Sequence, residues 1–260
     1  MQVNSKSSLV VVGSGIKFFS HLTTEAIAYI QQSDIVLYLV NDPVLKSWIQ
    51  KQNQNTESLD FLYHSCSLRA EAYQSITHYV LKHLYQEKHV CFVLYGHPSI
   101  FSKPGLEAVK QARMAGYFAK ILPAISAEDC LFADLVMDPG SSGCQSFEAT
   151  DFLIHQRQFD TSSHLVLWQI DAVGIINHES TNNKKTGLLL LLDYLKRSYQ
   201  PADEIIIYEA AQYPGFEPII TRAQLRDLPD IQLSALSTLY IPPVRKAPCD
   251  PILLNALGLK

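Results

Sequence analysis

The stretch FLYHSCSLRAEAY, residues 61–73, gathers side chains suited to handling charge and protons. Ser67 as an N-cap would place Arg69 in the first turn of a helix, with Tyr73 four residues later on the same side. A cation at the positive end of a helix does nothing for the helix itself. Arg69 therefore reads as placed for an anionic or phenolate partner. The competing reading is a surface arginine stacked on a tyrosine, and the spacing alone does not separate the two.

A second candidate is YGHPSIFSKPG, residues 95–105, where an apolar strand ends and a helix begins. Gly96 and Pro98 force a turn at the carboxyl end of that strand, the place where open α/β sheets bind ligands. His97 in this turn is a ligand-contacting group or a satisfied loop histidine. In LPAISAEDCLFADL, Ser126 and Asp129 have capping-box spacing, which is a structural role that leaves the loop's backbone available. Gly13 and Gly15 in VVGSG follow the first strand. The third glycine of a dinucleotide fingerprint is missing, so a tight turn is the stronger reading there.

These residues need elements to hold them. SLVVVGSG, DIVLYLV, HVCFVLYG and YFAKILPA read as strands that alternate with helices such as TTEAIAYIQQS, LRAEAYQSITHYVLKHLYQEK and PGLEAVKQARMAG. Residues 1–140 are thus expected to form an open α/β sheet domain. After the punctuation MDPGSSG the pattern changes to HLVLWQI, DEIIIYEAA and LSTLYIPP around one helix, GLLLLLDYLKRSY, which reads as buried. Residues 141–260 are expected to form a smaller α+β domain, with HESTNNKKTG as an exposed loop.

Composition narrows the function. The 260 residues are 47% hydrophobic and 18% charged, with a net charge of -4. Mean hydropathy is +0.03 and the pI is near 6.1. That balance gives no bulk attraction to nucleic acid or to an anionic membrane. Five scattered cysteines, Cys66, Cys91, Cys130, Cys144 and Cys249, have no metal-ligand spacing and read as reduced thiols in a cytoplasmic protein without a metal site. No segment has the length and apolarity of a membrane span.

Taken in order, VVGSG, YGHPSIF, LPAISAEDCLFADL, HLVLWQI and IIIYEAAQYP make residues 8–243 resemble the tetrapyrrole methylase superfamily. His97 stands where most members have Asp. YGHP together with Tyr63, Arg69, Tyr73 and Tyr95 is most similar to the peptide backbone α-N-methyltransferases of borosin biosynthesis, the omphalotin type. The resemblance implies a two-domain fold with S-adenosylmethionine in the cleft between domains and S-adenosylhomocysteine as product. It implies cofactor contacts from Tyr95, His97, Ile100, Phe101, Ser126 and Ala127 in the first domain. In the second it implies contacts from Gln169, Tyr208, Ser237 and Thr238. Arg69, Tyr73, Tyr63 and Tyr95 would carry the chemistry at a substrate amide.

An amide nitrogen is a poor nucleophile because its lone pair is delocalised, so its proton must leave or its planarity must break. A tyrosine titrates near about 10, and an adjacent guanidinium favours the phenolate, which makes Tyr73 beside Arg69 a candidate base. Hydroxyls of Tyr63 or Tyr95 could hold the charge that collects on the carbonyl oxygen. The chain stops at PCDPILLNALGLK without an apolar core peptide of its own, so the expected substrate is a separate precursor peptide methylated in trans. A homodimer, alone or as a heterotetramer with two precursor chains, is the expected assembly. The competing readings are a tetrapyrrole C-methyltransferase and a non-catalytic cofactor-binding regulatory subunit.

Overall fold

The computed structural model of the chain describes residues 4–64, 68–175 and 184–259. Two compact units emerge. One runs to Leu131 and includes Ala210–Glu217, and the other holds residues 132–175, 184–209 and 218–259. The boundary thus falls after Leu131 rather than at 140, and residues 210–217 return to the first unit.

The first unit contains β1 (Asn4–Gly13), α1 (Thr24–Gln32), β2 (Ile35–Leu39), α2 (Pro43–Gln52), β3 (Thr56–Ser58), α3 (Asp60–His64), α4 (Arg69–Tyr85), β4 (His89–Leu94), α5 (Lys103–Met114) and β5 (Tyr117–Ile121), and α6 (Ala127–Asp134) starts in it. The sheet order is β3-β2-β4-β1-β5, and every pairing is parallel. A parallel sheet covered on both faces needs near-continuous apolar strands, and residues 9–12, 35–39 and 90–94 supply them. Leu9, Val11, Phe92 and Leu94 pack with Ile76 and Val80 of α4 and Ala108 and Ala112 of α5. Their alternates Val10, Val12, Cys91 and Val93 pack with Ala26 and Ile30 of α1 and Leu45 and Ile49 of α2. Full burial of each larger aliphatic contributes about 1.5–3 kcal/mol, so these two layers fix where the strand ends fall. Burial also pushes the Cys91 thiol well above its ordinary range, which keeps it unreactive.

Neighbouring strands β1 and β4 send the chain to opposite faces, β1 to α1 and β4 to α5. Topology of this kind places a crevice at their carboxyl ends. Short contacts close its floor: the Ser14 N–H donates to the Leu94 carbonyl at 2.8 Å, and Gly15 and Gly96 exchange N–H···O bonds of 3.2 Å each. Gly15 and Gly96 have φ of +66° and +69°, a region that glycine enters without strain. Gly13 has no room for a side chain, since a Cβ there would lie 2.2 Å from the Gly96 carbonyl oxygen and 2.6 Å from Ala124 Cβ.

The second unit carries most of α6's last turn, then α7 (Pro139–Ser142), β6 (Cys144–Glu148), α8 (Ala149–Ile154), β7 (His164–Trp168), α9 (Lys184–Leu195), β8 (Glu204–Glu209), β9 (Ile219–Gln224), β10 (Thr238–Ile241) and α10 (Pro251–Ala256). Its sheet order is β6-β7-β10-β8-β9, parallel between β6 and β7 and antiparallel elsewhere. Leu165, Leu167, Ile205, Ile207, Leu239 and Ile241 form one face and pack with Leu188, Leu191, Leu192 and Leu195 of α9. The helix expected to be buried is amphipathic instead, because Leu189 and Leu190 stay exposed on its other side. Of HESTNNKKTG, residues 178–183 lie outside the described residues and 184–187 begin α9. Edge strands β6 and β9 and helices α2, α8 and α10 add to the sequence-predicted set. Among the described residues no helix is long and apolar enough to cross a membrane.

Two outcomes follow from this packing. Gly13→Ala is expected to cost about 1–3 kcal/mol in urea unfolding, because the clash is with backbone as well as side chain, and an unchanged midpoint would contradict the close approach. On the second sheet's other face His164 Nδ1 lies 2.7 Å from the Tyr240 hydroxyl, and burial holds the imidazole below its ordinary pKa. The folded state thus favours the neutral ring, and the unfolded chain takes up the proton first. This contribution is complete above about pH 6.5 and is lost as pH falls through the folded value. The urea midpoint should drop between pH 7.5 and 5.5, and less steeply in His164→Gln; equal slopes in both proteins would contradict the assignment.

Candidate functional site

The loop after β4 projects from the bridged crevice. His97 Nδ1 accepts the Ser99 N–H at 3.1 Å, and the His97 carbonyl accepts the Ile100 N–H at 3.1 Å, so the imidazole pins a tight turn and a neutral ring carries its proton on Nε2. Phe101 ends this turn at a φ of +50°. A bulky residue held in that region marks a segment whose conformation the surroundings enforce. Tyr95, Ile100 and Phe101 are 37%, 38% and 49% exposed, leaving an apolar and aromatic surface along the loop.

Tyr95 also reaches the returning segment 210–217. Its hydroxyl donates to Gln212 Oε1 at 2.7 Å, and burial pushes its pKa up, so the phenol stays protonated at neutral pH. Gln212 was not singled out from sequence. His21 was not either, although its Nδ1 accepts the N–H groups of Ile16 and Lys17 at 3.3 and 3.1 Å and thereby shapes the glycine turn. The turn reading of Gly13 and Gly15 holds, since their space is taken by Gly96, Ala124, Pro98 and His21.

Ser126 forms the expected capping box at the start of α6. Its hydroxyl donates to Asp129 Oδ2 at 2.6 Å and accepts the Asp129 N–H at 3.1 Å, and its own N–H donates to the same carboxylate at 2.7 Å. The buried hydroxyl is committed to the cap. Ala127, the first residue of α6, contributes a backbone N–H that has no acceptor within the helix.

Tyr63 on α3 and Tyr73 on α4 come together, with ring centroids 6.2 Å apart at an interplanar angle of 36°. Arg69 is the first residue of α4, one turn before Tyr73, as expected. Its N-cap is Leu68, which makes no side-chain cap bond; Ser67, the expected cap, and Cys66 lie outside the described residues, as does the side chain of Arg69. A helix start without a side-chain cap leaves its first N–H groups to other acceptors.

In the second unit the predicted residues converge at one end of the sheet. Leu239 pairs with Leu167, and continuing that antiparallel register puts Ser237 opposite Gln169; Thr238 pairs with Tyr208. Gln169 is exposed and sits in the left-handed region at φ +57°, at the point where β7 gives way to a 3-10 turn. The other three are buried. Tyr208 donates to Asp134 Oδ2 at 2.7 Å, while Ser237 Oγ donates to Glu209 Oε1 at 2.5 Å and accepts the Ser234 N–H at 2.8 Å. Gln169 therefore has the exposed side chain of this group. Asp134 and Glu209, which hold the buried hydroxyls, carry no signal in the sequence that distinguishes them from surface acids. Among the described residues no three His, Cys, Asp or Glu side chains stand close enough to hold a metal ion.

Comparison with known proteins gives this geometry a family. The chain is 39% identical over 248 residues, 92% of its length, to a methyltransferase/ribosomally synthesized cyclic peptide omphalotin A precursor of Omphalotus olearius. It is 38% identical over 254 residues, 95% of its length, to a methyltransferase/ribosomally synthesized type I borosin cyclic peptide precursor of Coprinopsis marcescibilis. It spans about three fifths of the length of these relatives, 59% and 64%. Among solved structures it superposes on uroporphyrin-III-C-methyltransferase from Thermus thermophilus with a TM-score of 0.66 at 18% identity, covering 98% of this chain and 97% of that one. A second structure of a Thermus thermophilus uroporphyrin-III C-methyl transferase, complexed with S-adenosyl homocysteine, superposes with a TM-score of 0.61 at 17% identity, covering 95% and 100%. These two share the fold. Residues 8–229 match the family of Tetrapyrrole (Corrin/Porphyrin) Methylases across both units, and the chain belongs to that methyltransferase family.

Proposed function

We propose that the chain transfers a methyl group from S-adenosylmethionine to backbone amide nitrogens of a ribosomally made, borosin-type precursor peptide presented as a separate chain. The observation that carries this reading is the Tyr63–Tyr73 pair, 6.2 Å between rings, beside the helix turn that begins at Arg69. Carbon methylation of a tetrapyrrole has no evident use for two phenols paired across adjoining helices. The identity to proteins named as borosin precursor methyltransferases points the same way.

The residues suit an adenosyl-amino acid cofactor. Ile100 and Phe101 offer apolar surface, and the loop after β4 and Ala127 offer backbone groups, all in the first unit. When bound, S-adenosylmethionine supplies an electrophilic sulfonium methyl. The rest of the chemistry belongs to the side chains. Tyr73 is assigned as the base, taking the proton from the peptide nitrogen as its phenolate, and Arg69 is assigned as the cation that favours that form. The N–H bond breaks, the new O–H bond forms on Tyr73, and the charge left behind delocalises onto the carbonyl oxygen. Tyr95, which burial keeps protonated, and Tyr63 donate hydrogen bonds to that oxygen. Methylation leaves no proton on the amide, so Tyr73 returns its proton to solvent before the next turnover.

Homodimer assembly belongs to the same reading. Its support is the apolar side chains that α10 and the residue after it leave exposed, namely Ile252, Leu253 and Leu257.

Tandem mass spectrometry of a precursor peptide incubated with protein and S-adenosylmethionine tests the reaction. Methyl groups are expected on backbone nitrogens and should vanish with Arg69→Ala; cofactor binding with no peptide methylation, but methylation of a uroporphyrin, would overturn the reading in favour of a tetrapyrrole substrate. Tyr95→Phe is expected to bind cofactor normally and to lower kcat by about 10²-fold or more, the loss typical of one oxyanion donor. Undiminished methyl transfer by that variant would remove Tyr95 from the mechanism.

A further inference from the structure

Tyr95 is held by a residue far away in sequence, and that contact has a consequence for the reaction. Gln212 lies 117 positions from Tyr95, on the segment 210–217 that returns to the first unit. Both halves of its carboxamide are engaged. Oε1 accepts the Tyr95 hydroxyl at 2.7 Å, while Nε2 donates to the Ala210 carbonyl at 2.9 Å. The second bond fixes which end of the amide faces Tyr95, because only Nε2 can donate to a carbonyl.

We infer that Gln212 is the positioning residue for Tyr95: it aims the phenol, holds its hydroxyl beside the β4 loop, and so sets the rate of methyl transfer rather than the affinity for either substrate. This rests on the assignment of Tyr95 as a donor to the amide oxygen. Free rotation would let the phenol hydroxyl find water or loop carbonyls. With Gln212 as its acceptor the oxygen keeps one location, and redirecting the hydroxyl's hydrogen bond from Oε1 to a nearby charged oxygen requires only a turn about the C–O bond. A neutral amide suits that exchange, since a developing oxyanion is the better acceptor.

The segment's placement does not depend on this side chain. The Gln212 backbone carbonyl accepts the Phe18 N–H at 3.0 Å, a bond that any substitution retains. The Tyr213 hydroxyl bonds Asp42 Oδ2, and the same carboxylate's Oδ1 caps α2 through the Leu45 N–H at 2.6 Å. Removal of the carboxamide therefore frees Tyr95 while the strap stays anchored.

A double-mutant cycle separates this from a structural role. Gln212→Leu, with Gln212→Met as a second variant of similar volume, is expected to lower kcat about tenfold or more while KM for cofactor and peptide stays within about threefold. In the Tyr95→Phe background the same substitution should have no further effect, since the group it positions is gone. A loss of equal size in both backgrounds, or no loss in the wild-type background while Tyr95→Phe is impaired, would overturn the inference. If Tyr95→Phe alone retains full activity, it is the role of Tyr95 that fails. A readout independent of turnover uses ¹³Cζ-tyrosine labelling, with the Tyr95 resonance identified by its absence in Tyr95→Phe. Gln212→Leu should shift and broaden that resonance, and an unchanged signal would show that Gln212 does not hold the hydroxyl.

Discussion

The mutual hydrogen bonds between Gly15 and Gly96 are the constraint on which the rest of the first unit's site depends. Adjacent parallel strands that feed opposite helical layers leave their following loops free to separate. Here the two loops are joined backbone to backbone, and the join works because both glycines take positive φ and Gly13 carries no Cβ. The crevice thereby acquires a floor made of main chain. Tyr95 and His97 flank one of the two bridging residues, so their positions follow from the floor and not from loop packing alone. The strap at 210–217 is fastened to the same region through Phe18, Asp42 and Tyr95.

The second unit solves a different problem. Its mixed sheet brings the ends of β7 and β8 and the start of β10 together, and their polar side chains would be costly to bury unpaired. Asp134 and Glu209 accept from the buried hydroxyls of Tyr208 and Ser237, which leaves Gln169 to project from a left-handed backbone position. A non-glycine residue in the left-handed region beside a satisfied buried network is a conformation that the surroundings enforce. The opposite register choice would have turned Tyr208 and Thr238 to the other face, because side chains alternate along a strand.

Much of this was legible in the sequence. The apolar runs at 9–12, 35–39 and 90–94 announced a sheet covered on both faces, and the Ser126–Asp129 spacing named a capping box that forms as written. The helix α2 had readable signals as well, Asp42 and Pro43 at its start and Leu45 and Ile49 one turn apart, but they lie beside a stronger strand pattern. Edge strands β6 and β9 were harder, since strands with exposed or half-buried positions lack the alternation that burial imposes. The start of α4 follows Leu68, whose side chain makes no cap bond, so residue type alone does not mark where this helix begins. Gln212, Asp134 and Glu209 were out of reach because each acts on a partner brought near by tertiary folding. No local spacing encodes that 212 meets 95.

The chemistry proposed for the chain requires a peptide amide and a methyl donor at the same group of residues. A crystal structure with S-adenosylhomocysteine and a substrate peptide tests this most directly. The account predicts the cofactor's sulfur at the loop of Gly96 and His97, with a backbone amide nitrogen facing it within about 3–4 Å of the Tyr73 hydroxyl and that amide's carbonyl oxygen within hydrogen-bond reach of Tyr95. A cofactor bound away from that loop, or a peptide whose amides lie beyond reach of both tyrosines, would contradict it.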